Sequence, residues 1–196
     1  MFKHFKLAAC VLLLSAGFAA CSDDDEPELI IDPVPTFRTS AYVVNQGNMY
    51  GGVSGSMDCI DLLQGITTSG VFYATNQQSL GDSPQQAVRY GSRIYVPMFG
   101  SNLLWVLNAS SLKIEAQLRV NEPEAVCATA GYVFVAGNDG YVTRIDTLAF
   151  TPSEPVSVGP NPAGLTASGQ KVYVSISDGY NYDNGYADGM KVAVIH

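Results

Sequence analysis

Three segments of the chain repeat one another at a fixed interval, and that interval restricts the fold more than any other feature. SPQQAVRYGSRIYVPMF begins at Ser83, EPEAVCATAGYVFVAG at Glu122 and NPAGLTASGQKVYVS at Asn161. Pro84, Pro123 and Pro162 lie 39 residues apart, and so do the aromatics Tyr95, Phe134 and Tyr173. Gly91, Gly131 and Gly169 fall between them at intervals of 40 and 38. A helical repeat of this length would carry a 3.6-residue apolar period, whereas these segments alternate as strands do. Short alternating strands inside a period near 40 predict an all-β fold, a β-propeller made of four-stranded antiparallel blades.

The folded part opens near Phe37. Residues 41–45, 57–62 and 71–75 read as the last three strands of a first blade (37–78). The second blade (79–120) supplies strands at 85–90, 93–98, 103–108 and 113–120, with a tight turn at Gly91-Ser92. A third blade (121–159) repeats the pattern, with Asp139-Gly140 in a loop. The fourth (160–196) carries a long insertion at 177–189 before a strand at 190–195. Propellers close with roughly four to eight blades, so about half of a ring is present, with open sheet edges that favour aggregation. The expectation is a fragment of a longer chain; the alternative is two copies that close a ring.

Composition limits the functional classes. A chain of 196 residues with 47% hydrophobic and 14% charged residues is globular rather than disordered. Its net charge is −8, and removing residues 1–20, with Lys3 and Lys6, leaves 8 basic against 18 acidic side chains. Such a surface lacks the basic footprint that phosphate contacts need, which argues against nucleic acid. Outside the leader and its junction the cysteines are Cys59 and Cys127, both in apolar strand patterns and read as small buried hydrophobes, with their pairing left open. His196 is the one histidine beyond the leader, so no Ser-His-Asp or Cys-His set can be assembled. His/Cys metal clusters are lacking for the same reason. The expectation is a non-enzyme without metal or cofactor.

Residues 1–20 read as an export signal: Lys3, His4 and Lys6 precede an apolar run ending in small residues. The run is too short for a comfortable transmembrane helix. It ends FAAC at Phe18 to Cys21, which resembles a bacterial lipobox and implies lipidation at Cys21. Residues 21–36 read as an acidic tether and linker, because Asp23, Asp24, Asp25, Glu26 and Glu28 repel one another and cannot bury themselves. An acidic run directly after the cysteine also resembles the surface-export signal of Bacteroidetes lipoproteins. That implies a protein lipid-anchored in the outer membrane and facing the cell exterior; a periplasm-facing spacer is the alternative.

The order proline, apolar strand, glycine, lysine, Val-Tyr-Val and a second apolar strand ending in Asp resembles the YVTN-repeat, YncE-like β-propellers. NPAGLTASGQKVYVS carries the first part, and Ile60-Asp61 and Ile145-Asp146 carry the ending, where the second blade has Leu107-Asn108. The resemblance runs from about Phe37 to the C-terminus. It implies the fold and leaves the activity open, since propellers host many functions. Outer-membrane lipoproteins of this resemblance include corrinoid-capturing propellers that sit over a vitamin B12 transporter. It thereby implies cobalamin as a small-molecule ligand and an outer-membrane transporter as a partner. Asp146-Thr147-Leu148 resembles the Asp-Thr-hydrophobic O-glycosylation motif, which makes Thr147 a candidate acceptor.

Loops between second and third strands, and between blades, gather on one face of a propeller. Here they are 45–56, 99–102, 137–140 and 177–189, with 79–82 and 121–122 beside them. They offer Asn45, Gln46, Asn48, Tyr50, Phe99, Asn102, Asn138, Asp139, Tyr180, Tyr182 and Asp183 as candidate ligand contacts. Amides and carboxylates beside flat aromatics suit a glycan or a large ring system. A single such loop needs Asn, Asp and Gly for turning alone. The two long tyrosine-bearing insertions exceed the roughly two to five residues a turn requires, which favours binding. Two alternatives stand beside ligand capture: a protein-interaction scaffold, and a glycan hydrolase or lyase built on a pair from Asp139, Asp178, Asp183 and Asp188. The run DGYNYDNGYADG from Asp178 lacks the D-x-[DN]-x-[DN]-G spacing of a calcium loop.

Overall fold

Each repeat starts on a proline that opens the innermost strand of a sheet. In the computed structural model, which describes residues 39–196, Pro123 pairs with Gly137 and Pro162 with Ile176, each ahead of a β-bulge, and Pro84 bridges Met98. A proline is tolerated at a strand's first residue, where the missing N–H interrupts no ladder. The residue before each proline, Ser83, Glu122 or Asn161, has a left-handed backbone with φ of 51, 41 and 48°. Their carbonyls accept from the amides of Phe99, Asn138 and Ser177 at 2.9, 2.8 and 3.1 Å. Gly131, at φ 84°, completes a hairpin turn in which Ala130 is also left-handed, the geometry that glycine makes cheap.

Four antiparallel meanders result. The first sheet has β1 (Ser40–Asn45), β2 (Ser56–Asp61) and β3 (Ile66–Thr68), followed by a short helix α1 (Val71–Asn76). The second has β4 (Val88–Tyr90), β5 (Arg93–Met98), β6 (Leu103–Asn108) and β7 (Ile114–Arg119). The third has β8 (Pro123–Thr129), β9 (Tyr132–Gly137), β10 (Tyr141–Asp146) and β11 (Val156–Ser157). The fourth has β12 (Pro162–Ser168), β13 (Lys171–Ile176) and β14 (Lys191–Ile195). Sheets of three, four, four and three strands in succession form an open β-propeller, as the repeat predicts.

The cores lie between successive sheets. Met57 and Cys59 of the first meet Ile94, Val96 and Trp105 of the second. Tyr95, Leu104 and Val106 on the second sheet's other face meet Val126, Val133 and Ile145 of the third. Ala125, Cys127 and Val142 then meet Val172, Val174 and Ile176 of the fourth. In the second and third sheets alternation along each strand therefore buries both faces, because each face has a neighbouring sheet. Cys59 and Cys127 are both free and sit in different cores. Burial pushes the Cys127 thiol up to about 11.

Two expected strands differ. Residues 71–75 form α1 instead of a strand. Val71 and Phe72 are adjacent and both about 1% exposed, and the helical turn packs both into the first core. Phe72 packs on Trp105 with ring centroids 5.7 Å apart. The strand expected at 85–90 shortens to β4. In the third sheet the outermost strand is reduced to β11; Pro152 and Pro155 lie just ahead of it and lack the N–H a ladder uses.

The strand-ending residues Asp61, Asn108 and Asp146 share one local role. Each side-chain Oδ1 accepts from the two backbone amides two and three residues on, at 2.8–3.1 Å, an Asx turn that ends the strand. Thr147, the candidate glycosylation site, is 8% exposed, and its hydroxyl donates to the Gly131 carbonyl at 2.7 Å. The signal segment (1–20), the lipidation candidate Cys21 and the tether (21–36) lie outside the described residues.

Candidate functional site

At one end of the sheets the loops form a continuous hydrogen-bonded row. Gly55 N donates to Gly81 O at 2.7 Å and Gly100 N to Asp82 O at 3.1 Å. Glu122 N donates to Asn102 Oδ1 at 2.8 Å. Asn161 Nδ2 reaches both Asn138 O and Oδ1 at 3.2 Å, and Asn138 Nδ2 donates to the Tyr180 hydroxyl at 2.9 Å. The row follows from the repeat: the left-handed residue before each proline aims its carbonyl at the loop of its own sheet.

Most of the polar groups expected to face a ligand are spent in this framework. Asn45 Nδ2 donates to Ser56 Oγ and Asp58 Oδ2 at 3.0 and 2.9 Å. Asn48 caps a short 3-10 turn by accepting from Gly51 N at 3.0 Å. Asn102 is left-handed and tied to Glu122, and Asp139 accepts from Asn121 Nδ2 at 2.9 Å and from Tyr141 N at 3.3 Å. Phe99 is half-buried in a 3-10 turn. Gln46, Tyr50, Tyr180, Tyr182 and Asp183 are exposed, with Tyr50 94%, Tyr180 70% and Tyr182 67% open to solvent.

The insertion 177–190 is ordered from within. Asp178 is 4% exposed, and its Oδ2 accepts from Asn181 Nδ2 and from the Asp188 amide, both at 2.9 Å. A side chain at Gly189 would collide with the Ser177 carbonyl, so glycine is required there. The folded loop sets Tyr180 over the start of β12 and outlines a notch of about 160 Å³ lined by Glu124, Asn138, Asn161, Ser177 and Tyr180.

Glu124 was not anticipated from the sequence. It stands on β8, the inner strand of the third sheet, and burial alone pushes its carboxyl above the usual carboxylate range. A raised folded-state pKa means that the charged form is disfavoured in the native protein. Its contribution to stability is present below the unfolded-state pKa and is lost as pH rises through the folded value. Glu124→Gln is accordingly expected to raise the unfolding midpoint at pH 7 and to leave it unchanged near pH 4. Thermal unfolding at the two pH values checks this, and an equal shift at both would show that the carboxyl's charge is not involved. Among the described residues no group of three or more His, Cys, Asp or Glu is placed to hold a metal ion.

Sheets, cores and loop row define the class: a β-propeller whose loops gather at one end. No protein-family model and no curated protein matches the sequence. Solved structures do. The chain is similar to the computationally designed protein Ika8 (10% identity, TM-score 0.59, 83% of this chain and 44% of that one). It is also similar to the designed protein Ika4 (12%, 0.54, 72% and 79%). A third is BamB from Moraxella catarrhalis, a β-propeller protein (16%, 0.50, 69% and 43%). The chain thus spans less than half the length of Ika8 and BamB. At these identities the likeness extends to the fold.

Proposed function

We propose that the chain is a non-catalytic binding module of the YVTN-repeat type, lipid-anchored through Cys21 at the outer surface of the cell, whose loop end holds a protein partner. One observation carries this reading: a hydrogen-bonded loop row with small notches of about 160 and 210 Å³ displays exposed tyrosines and a methionine. Tyr180, Tyr182, Tyr186 and Met190 belong to one insertion, with Met190 91% exposed. Tyrosine and methionine are enriched at protein interfaces, where large side chains on a preordered backbone bind at low entropic cost.

A corrinoid or comparable ring calls for a concavity on the order of 300–1,000 Å³, and the notches on the loop row offer about 160 and 210 Å³. Absorbance titration with cobalamin tests that narrower reading. Glycan cleavage by a carboxylate pair is disfavoured by the way the acids are used. Asp139 and Asp178 are held in internal hydrogen bonds, and Asp188 pairs with Lys191 at 3.2 Å.

A photo-crosslinking residue placed at Tyr182 in the full chain, in its native cells, tests the partner reading. One discrete protein adduct is expected. It should be lost when Tyr180→Ala is added, and it should not form from the same probe at Leu148, an 86% exposed residue in the turn after β10, away from the loop row. Equal labelling from both positions, or none from 182, would sink the proposal.

A further inference from the structure

The position after each repeat proline forms a column in the sequence: Gln85, Glu124 and Ala163 stand 39 residues apart. In the third and fourth sheets it is also where the inner strand bulges. Pro123 pairs with Gly137 and Ala125 with Ala136, so Glu124 has no partner across the ladder, and Ala163 between Pro162 and Gly164 is in the same situation. A bulge re-aims the side chain it frees, and both residues line the notch of about 160 Å³ beside Tyr180. Glu124 brings a carboxylate, and Ala163 the smallest side chain of the column, which leaves room beside it.

The hydrogen bonds around this notch leave it one-sided. Asn161 Nδ2 is turned onto Asn138 O and Oδ1, Asn138 Nδ2 onto the Tyr180 hydroxyl, and Ser177 Oγ donates to the Asn161 carbonyl at 2.7 Å. These donors serve the loop row, whereas the Glu124 carboxylate makes no hydrogen bond or ion pair with any described residue. No Lys or Arg lines the notch. Burial pushes the Glu124 carboxyl up with nothing to offset it, as expected of a half-buried acid that lacks a cation. The chain as a whole carries a net charge of −8, a field that draws cations toward it.

We infer that this notch receives a basic side chain of the protein partner, whose ammonium or guanidinium group donates to the Glu124 carboxylate while its stem lies along the Tyr180 ring. The inference rests on the reading of the loop end as a partner surface and names the chemistry that surface selects. An opening of about 160 Å³ suits one side chain and falls short of the roughly 300–1,000 Å³ of a small-molecule site. A basic group supplies donors only, which matches an acceptor with no donor of its own. Its charge-assisted bond to a carboxylate is about twice as strong as a neutral one. Tyr180, 70% exposed, adds a ring face that attracts the same charge.

Two measurements on the full chain test this. In the first, NMR follows titration with N-acetyl-lysinamide, N-acetyl-argininamide and the neutral N-acetyl-norleucinamide. The basic probes are expected to shift the side-chain amides of Asn138 and Asn161 saturably, with a Kd on the order of 1–10 mM, and the neutral probe to leave them unmoved. Glu124→Gln should weaken that response by about tenfold or more with no loss of thermal stability, a pairing that a merely structural role would not give. Ala163→Leu, at an exposed position, should do the same by filling the notch while the carboxylate stays. No saturable shift with either basic probe, an equal response to the neutral one, or indifference to Glu124→Gln would overturn the inference.

The second measurement adds Glu124→Gln to the chain that carries the photo-crosslinker in place of Tyr182, in its native cells. The adduct is expected to fall by about tenfold or more. An unchanged yield would overturn the inference and leave the partner reading standing. No adduct from the chain with Glu124 intact would remove the partner reading, and the inference with it.

Discussion

Trp105→Ala is expected to lower folding stability by about 3–5 kcal/mol, the usual range for emptying a large aromatic from a core. The side chain is 5% exposed, packs on Phe72 and donates its indole N–H to the Leu80 carbonyl at 2.7 Å. Both partners belong to the segment that joins the first two sheets, so the loss acts on the whole contact between them. Domains are stable by about 5–15 kcal/mol in total, and the variant should therefore lie near its unfolding threshold. Trp105→Phe keeps a ring against Phe72 but leaves the Leu80 carbonyl without its donor, for an expected cost of about 1–2 kcal/mol. Trp105 is the only tryptophan in the chain, so urea unfolding has to be followed by circular dichroism. A loss under about 1 kcal/mol for the alanine variant would mean that the first two sheets are not held together by this core.

Asp178→Ala should act on the loop and spare the sheets. Its carboxylate closes the insertion by accepting from Asn181 and Asp188 while almost fully buried, and removing it leaves both donors unsatisfied, at a local cost of about 2–3 kcal/mol. That exceeds what a loop without a core of its own can absorb. Chymotrypsin is then expected to cut at Tyr180, Tyr182 or Tyr186 at least about tenfold faster than in the parent, with a global unfolding midpoint shifted by only a few degrees. Equal cleavage rates would show that the loop is ordered by something other than Asp178. A collapse of the midpoint would show that it is part of the core.

The sheets were legible because the chain repeats itself in residues whose roles are backbone roles. Pro84, Pro123 and Pro162 open inner strands, Gly131 completes a hairpin, and Asp61, Asn108 and Asp146 end strands by accepting from their own turns. Such signals survive changes in the surrounding side chains. What misled was local alternation without a partner to test it. VFYAT at 71–75 has strand-forming residues, yet it forms a helix whose Phe72 packs on the indole of Trp105, a contact distant in sequence. The loop residues were read as ligand contacts by type. In the structure these side chains also hold the loops: Asn48, Asn102 and Asp139 accept from backbone amides, and Asn45 donates to Ser56 and Asp58. Glu124 was overlooked although a signal existed: an acidic residue within the apolar run PEAVCA of an inner strand.

The left-handed residue ahead of each proline has a further consequence. It fastens the first residue after the second strand of its sheet, whether the loop that follows is short, as at 138–140, or long, as at 177–190. Loop length is thereby uncoupled from strand register. The segment 178–189 is in effect an exchangeable cassette, so a chain of this design can acquire a new binding specificity by trading one segment while its scaffold stays the same.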